Sequence, residues 1–296
     1  MKIGSYNKFW HRMHAYAKDN FIPLRVMFEI TYECNFKCKY CYIPQSYKSR
    51  NKELTTEEIY SILRQLKKIG CYYLGFTGGE PFIRKDILDV LKYAKNLGFE
   101  IIIYTNGSLI NKNTMEQLFF LRPNKIDITI PAMGREVFEK ITGVKGSYNK
   151  VFNAVSLLHK NKINLGFKTC LLKDNRNEID EIQKFSKSLN VYYRLTGTLS
   201  AKLDGSEEPF RYGCEPSLTD NFISVDRHKQ NNSCELINNF NKNRIFKCGA
   251  GVSQAAITPF GELKTCIKID CPKYKILDSS LKNCWENLRK SIFQPN

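Results

Sequence analysis

No stretch of this 296-residue sequence stays apolar for 18 or more residues, so no segment reads as a membrane-spanning helix. Residues 1–20 lack the apolar core of a secretory signal and intersperse Lys, Arg, His and Tyr instead. Acidic residues are scarce: 29 Asp and Glu against 46 Lys and Arg leave a net charge of +17. There is no internal repeat and no low-complexity tract. With neither a span nor a signal, the expected location is the cytoplasm, with no membrane partner. The basic field suits an acidic peptide, an anionic cofactor or nucleic acid, and residues 1–52 concentrate it, with ten Lys and Arg against three acidic residues. For most single lysines a solvated surface is the plainer account.

Cysteine is abundant, at eleven residues. In a reducing compartment that number favours metal or catalytic roles over a disulfide framework. Length and a hydrophobic fraction of 42% suit one large α/β domain with room for a small appendage. Three of the thiols, Cys34, Cys38 and Cys41, stand at C-x3-C-x2-C spacing directly after an apolar, β-branched run. A tetrahedral zinc site would need a fourth Cys or His, and Cys71 is the next candidate. Three thiolates suit a four-iron cluster tied at three corners with one iron left open, since such clusters are otherwise held by four cysteines. Three unrelated cysteines are the bland alternative.

Strand and helix patterns alternate from residue 24 onward. Strands are expected over 25–31, 72–77, 100–104, 126–130, 163–171 and 191–195. Helices are expected over 55–69, 86–97, 111–121, 148–161 and 177–189, with a short one near 9–17 before Pro23. Thr55-Thr56-Glu57-Glu58 offers a capping box. Six such units in succession mean a parallel sheet, open or curled, with chemistry at the C-terminal strand ends. The motifs fall there: the three cysteines after strand one, Gly78-Gly79-Glu80-Pro81 after strand two, Thr105-Asn106-Gly107 after strand three, and Thr129 in the end of strand four. The rhythm stops near Thr196, and the expected organisation is a basic lead-in over 1–23, a barrel over 24–209 and a cysteine-rich tail over 210–296.

The cysteine spacing, Tyr40 before the third thiol and the Gly-Gly-Glu-Pro run together resemble the radical S-adenosylmethionine (SAM) superfamily. The resemblance covers roughly residues 24–196 and continues into the tail. It implies a partial, TIM-like (β/α)6 barrel carrying a [4Fe-4S] cluster on Cys34, Cys38 and Cys41. SAM would chelate the open iron, and its reductive cleavage would yield a 5′-deoxyadenosyl radical that abstracts hydrogen from substrate. Gly78 and Gly79 would let backbone approach SAM, Glu80 would accept from its ammonium group, and Tyr40 would lie near the adenine. Asn106 and Thr129 would contact ribose and carboxylate, or serve ordinary turn chemistry.

In the tail, Cys248, Gly261 and Cys266 make C-x12-G-x4-C, which is similar to the opening motif of SPASM and twitch extensions. That likeness implies an auxiliary [4Fe-4S] cluster. The continuation C-x2-C-x5-C-x3-C is absent, so a twitch-like tail with one cluster is expected, ligated by Cys248, Cys266 and two of Cys271, Cys284, Cys234 and Cys214. Cys284 falls in a helical pattern over 281–292 and has a core reading as well. Cys71 and Cys170 read as buried structural thiols.

Members with such tails commonly modify ribosomally made peptides by thioether or carbon–carbon linking or by epimerisation. Others oxidise Ser or Cys on sulfatases, assemble cofactors or oxidise small alcohols. Thr142, where sulfatase-acting members often carry Arg, and Ile267 rather than Asp after Cys266 argue against the sulfatase class. The leading expectation is a peptide-modifying, oxidoreductase-like enzyme that draws electrons from a flavodoxin or ferredoxin. No recognition domain precedes the barrel, so a separate leader-recognition protein is a further expected partner. A small-molecule radical enzyme and a tRNA-modifying enzyme are the enzymatic alternatives. A zinc-binding nucleic-acid module is the non-enzymatic one.

Overall fold

β-Branched runs alternate with amphipathic segments, and the chain lays down strand and helix in turn. In the computed structural model, which describes residues 3–48, 52–215 and 248–293, helix α1 (Ile3–Asp19) precedes strand β1 (Arg25–Thr31). There follow α2 (Thr56–Lys68), β2 (Tyr73–Gly78), α3 (Ile87–Asn96), β3 (Glu100–Thr105), α4 (Lys112–Leu121) and β4 (Lys125–Thr129). Two helices, α5 (Arg135–Thr142) and α6 (Ser147–Lys160), lead to β5 (Leu165–Cys170), and α7 (Ile179–Ser188) leads to β6 (Tyr192–Thr196). The described tail holds β7 (Gln254–Ile257), β8 (Glu262–Cys266), β9 (Ile269–Lys275) and α8 (Leu281–Phe293). None of the described helices is long and apolar enough to cross a membrane.

The helix starts follow local chemistry. Thr55 caps α2 in a reciprocal box with Glu58, and the Asn111 side chain accepts from the Thr114 amide at 3.0 Å to start α4. Inward positions of α2 (Ile59, Ile62, Leu63 and Leu66) are fully buried against the sheet. On the strands, alternate residues meet the helices: Val26, Phe28, Phe76, Ile101, Ile103, Ile126 and Ile128 are 0% exposed. Burial of each such side chain contributes about 1.5–3 kcal/mol. The other face, with Ile102 and Tyr104 of β3, is only half-buried and forms the lumen.

The sheet runs β6-β5-β4-β3-β2-β1-β7-β8-β9, with β1 to β6 parallel. Its two ends do not pair with each other, so the barrel is partial. Two features go beyond the sequence expectation. Helix α5 fills 135–142, a stretch with no expected element. Strand β7 lies parallel to β1, from Arg25↔Gln254 to Phe28↔Ile257, so the described tail continues the barrel's own sheet. An unpaired β1 would expose a row of backbone donors and acceptors, and β7 satisfies them.

Candidate active site

The loop that follows β1 is held from three sides. At its start, Glu53 Oε1 accepts from the Tyr32 amide at 2.8 Å and from Thr31 Oγ1 at 3.0 Å. In its middle, the C-terminal carbonyls of α5 accept its amides, Lys37 to Thr142 at 2.9 Å and Lys39 to Ile141 at 3.2 Å. Gly143 ends α5 at φ +68°, and a Cβ there would lie 2.9 Å from the Lys37 carbonyl. Asp174 then pairs with Lys39 at 3.2 Å and with Lys140 at 2.7 Å, and the hydrogen bond from Lys140 is the main cause that lowers its pKa. Phe36, 4% exposed, anchors the loop in the core. Thr142 is buried, its hydroxyl donating to the Phe138 carbonyl at 3.0 Å within the last turn of α5.

Cys34, Cys38 and Cys41 all lie on this loop and are partly exposed. Burial pushes the Cys34 thiol up to about 11, opposed by the Phe36 amide, which donates to its Sγ at 3.4 Å. Burial raises Cys38 further, helped by neighbouring Cys41, Cys34 and Cys170. Cys41 is raised by burial and opposed by the Ile43 amide and Lys48. Tyr40 is half-buried beside Cys38 and shares a side-chain hydrogen bond with it. Three neighbouring thiols whose thiolates are costly without a cation, approached by amide donors, suit a cationic iron–sulfur cluster. No three His, Cys, Asp or Glu side chains among the described residues gather around one ion. A cluster has no such requirement, because each thiolate takes a different iron, so the donor set fits [4Fe-4S] better than zinc. A pocket of about 350 Å³ opens beside it, lined by Glu33, Cys34, Gln45, Lys48 and Ile83.

Gly78 and Gly79 leave room for the chain's own backbone. A Cβ on Gly78 (φ +122°) would sit 2.1 Å from the Thr31 carbonyl, and one on Gly79 2.0 Å from the Glu33 carbonyl. The Gly79 amide donates to Thr31 at 2.7 Å and the Glu80 amide to Glu33 at 2.8 Å, which clamps the end of β2 to the cysteine loop. Glu80 is 0% exposed. Its carboxylate accepts from Thr105 Oγ1 at 2.7 Å, the Asn106 amide at 2.7 Å and the Phe82 amide at 3.1 Å. Burial pushes it up to about 7 against those hydrogen bonds. In this geometry Glu80 ties the ends of β2 and β3 together.

Asn106 is likewise engaged within the protein. Its Nδ2 donates to Asn35 Oδ1 at 2.9 Å, and its Oδ1 accepts from the Ser108 amide at 2.8 Å. Asn35 and Ser108 complete this network beside Cys34; being ordinary turn residues, they carry no sequence signal. Thr129 ends β4 opposite Lys168 of β5. Cys170 ends β5, half-buried and coupled to Cys38, so it belongs to the site's surroundings. Its position at a strand end was the available clue.

The tail hairpin turns at Pro259–Gly261 as expected, with Ala256↔Lys264 and Ile257↔Leu263 antiparallel. Continuing that register sets Gln254 opposite Cys266. Gly249, next to Cys248, accepts the Gln254 amide at 2.8 Å, so Cys248 and Cys266 lie at the same end of the hairpin. Cys248 and Cys271 are exposed. Cys284 is 2% exposed in the main core and donates to the Lys275 carbonyl at 3.4 Å. Cys71 is buried as expected, and Cys214 packs partly against the core. Cys234 lies outside the described residues.

A buried ion pair joins the tail to the site. Lys264 Nζ lies 3.1 Å from Glu29 Oε2, both 0% exposed. Glu29 also accepts from Tyr42 at 2.7 Å and Tyr32 at 3.1 Å, so β8 reaches the residue after Cys41 through one carboxylate. Burial raises Glu29, opposed by the charge of Lys264.

The profile of the Radical SAM superfamily matches residues 28–186. A PqqA peptide cyclase from Bradyrhizobium diazoefficiens is 26% identical over 170 residues, covering 57% of this chain and 45% of that protein. The chain thus spans under half the length of this curated relative. Streptococcus suis SuiB bound to precursor peptide SuiA superposes with a TM-score of 0.74 at 18% identity, covering 96% of this chain and 70% of SuiB. AnSMEcpe with bound AdoMet superposes with a TM-score of 0.69 at 17% identity, covering 92% and 83%. These likenesses establish a shared fold that includes the described tail.

Proposed function

The chain belongs to the radical S-adenosylmethionine superfamily, and from that premise we propose that it cleaves SAM reductively and takes hydrogen from a ribosomally made peptide. The observation that carries this reading is the braced loop that presents Cys34, Cys38 and Cys41 at the lumen mouth beside the Glu80-tied strand ends. When bound, the cluster and SAM supply sulfonium cleavage and a 5′-deoxyadenosyl radical. The chain's residues hold and orient. Cys34, Cys38 and Cys41 would ligate three irons, and the Phe36 and Ile43 amides would spread sulfur charge. Tyr40 would keep the Cys38 side of the loop dry. Glu80 holds the Asn106 amide and would accept from the SAM ammonium group, and the clamp at Gly78 and Gly79 sets how near β2 stands to the loop.

The peptide half of the reading is supported by the likeness to a PqqA peptide cyclase and to SuiB with its bound precursor peptide, and by a net charge of +17. Crosslinking or epimerisation would follow hydrogen abstraction. A flavodoxin or ferredoxin would supply electrons, and a separate protein would present the leader. We assign residues 210–296 to an auxiliary-cluster region in which Cys248 and Cys266 are two ligands. Cys271, Cys214 and Cys234 are candidates for the rest, and the core position of Cys284 takes it out of first place.

The test is anaerobic reconstitution followed by reduction with dithionite in the presence of SAM. 5′-Deoxyadenosine is the expected product, and single Cys→Ala changes at Cys34, Cys38 or Cys41 should abolish it. Short peptides encoded beside the gene should then lose two hydrogens or take up deuterium by mass spectrometry. Turnover of a small metabolite with no change in any such peptide would overturn the peptide assignment.

A further inference from the structure

The register between β5 and β6 sets Lys168 beside Arg194, with Cys170 and Thr196 as the next pair on the same face. That face is the lumen: Lys168, Arg194 and Cys170 are half-buried, whereas the intervening Thr169 and Leu195 are buried on the opposite face. A third cation, Lys268, comes from the turn between β8 and β9. Its charge acts on both Lys168 and Cys170. Strands β5 and β6 lie at one end of the sheet and β8 and β9 at the other. The three cations therefore meet across the open seam of the barrel.

None of the three takes part in an ion pair among the described residues. Asp127, the carboxylate that acts on Lys168, already lies 3.0 Å from Lys125. Lys168 and Arg194, half-buried side by side, repel each other, and the exposed Lys268 adds to that repulsion until an anion joins them. Burial, with Arg194 and Lys268 adding to it, lowers the pKa of Lys168 accordingly. Cys170, between these cations, is coupled to Cys38 and Tyr40, so the cationic patch opens onto the cysteine loop.

We propose that Lys168, Arg194 and Lys268 form a carboxylate-binding site at the barrel seam that grips an acidic side chain of the peptide substrate. The proposal rests on the peptide-modifying reading above and adds a chemical feature of the substrate. SAM carries a carboxylate too. Of the residues attributed to SAM, Thr129 of β4 pairs with Lys168, but the others end β1 to β3, whereas Arg194 and Lys268 stand farther along the sheet, on β6 and the tail turn.

The test uses the reconstituted full chain with SAM and two capped, alanine-based heptapeptides that differ only in one central glutamate or glutamine. Binding is read by ligand-detected NMR at about 0.1 M salt. The glutamate peptide should bind about tenfold tighter, as expected for a charge-assisted contact. Lys168→Met and Arg194→Met should each remove most of that preference, Lys168→Arg should retain it, and Lys92→Gln, an equal charge loss on the exposed face of α3, should leave it intact. Equal binding of the two peptides overturns the proposal, as does a preference that survives both Met variants or falls equally with Lys92→Gln. Weakened SAM binding in the Met variants with the peptide preference unchanged would assign the cations to the cosubstrate and also overturn it. Production of 5′-deoxyadenosine by the same wild-type preparation separates the two levels: present without glutamate preference, only this proposal fails; absent, the enzymatic reading fails with it.

Discussion

Glu80 is a carboxylate at 0% exposure that accepts from three neutral donors. Burial raises its pKa from an ordinary 4.5 to about 7. The folded state then holds a proton that the unfolded chain releases above 4.5, so this group's contribution to stability falls as pH rises from about 4.5 through about 7. Glu80→Gln should remove that slope: chemical denaturation across this range should show the wild type losing stability relative to the variant as pH rises. The amide also turns a donor toward the Asn106 N–H, and SAM affinity of the reconstituted variant should drop about 10-fold or more, as for other supporting-residue changes. A flat stability difference across that pH range would mean that Glu80 ionises normally. The identity of Glu80 was visible in the sequence, but its hydrogen bonds to Thr105 and Asn106 were not, because those partners lie 25 and 26 residues away.

Strands and their clamps govern the next scale. Gly79→Ala would place a methyl 2.0 Å from the Glu33 carbonyl, so either β2 or the cysteine loop must shift. We expect destabilisation of about 1–3 kcal/mol, typical of overpacking, and fewer irons retained after reconstitution. A second clamp is Glu29–Lys264, which ties β1 to β8. Removing one partner of a buried pair leaves an uncompensated charge, so Lys264→Met should cost about 3–5 kcal/mol by urea denaturation, and adding Glu29→Gln should recover part of that. A loss below 0.5 kcal/mol would mean that the pair is hydrated and contributes no more than a surface bridge. Periodicity predicted α2, α4 and β1 to β6 to within a few residues. Helix α5 escaped because it is only eight residues long, too short for a 3.6-residue repeat to stand out. Yet its C-terminal carbonyls brace the cysteine loop.

Over the whole molecule, the tail adds strands to the barrel's sheet through β1 and β7. Cys248 is exposed and lies outside that pairing, so a change confined to it should leave the loop of Cys34, Cys38 and Cys41 in place. Cys248→Ala should lower the iron content of the reconstituted protein from about eight to about four per chain while 5′-deoxyadenosine formation persists and peptide product is lost. Loss of SAM cleavage as well would mean that the two regions are not separable. Local sequence by itself determined the cysteine spacing, the strand–helix alternation and the hairpin turn, because each depends on residues a few positions apart. Tertiary structure alone decided what Gly78 and Gly79 make room for, that Cys284 is core, that β7 covers β1, and that Lys168, Arg194 and Lys268 share one seam. These depend on strand register and on which ends of a curled sheet meet, and both are set by burial and backbone pairing over the whole chain.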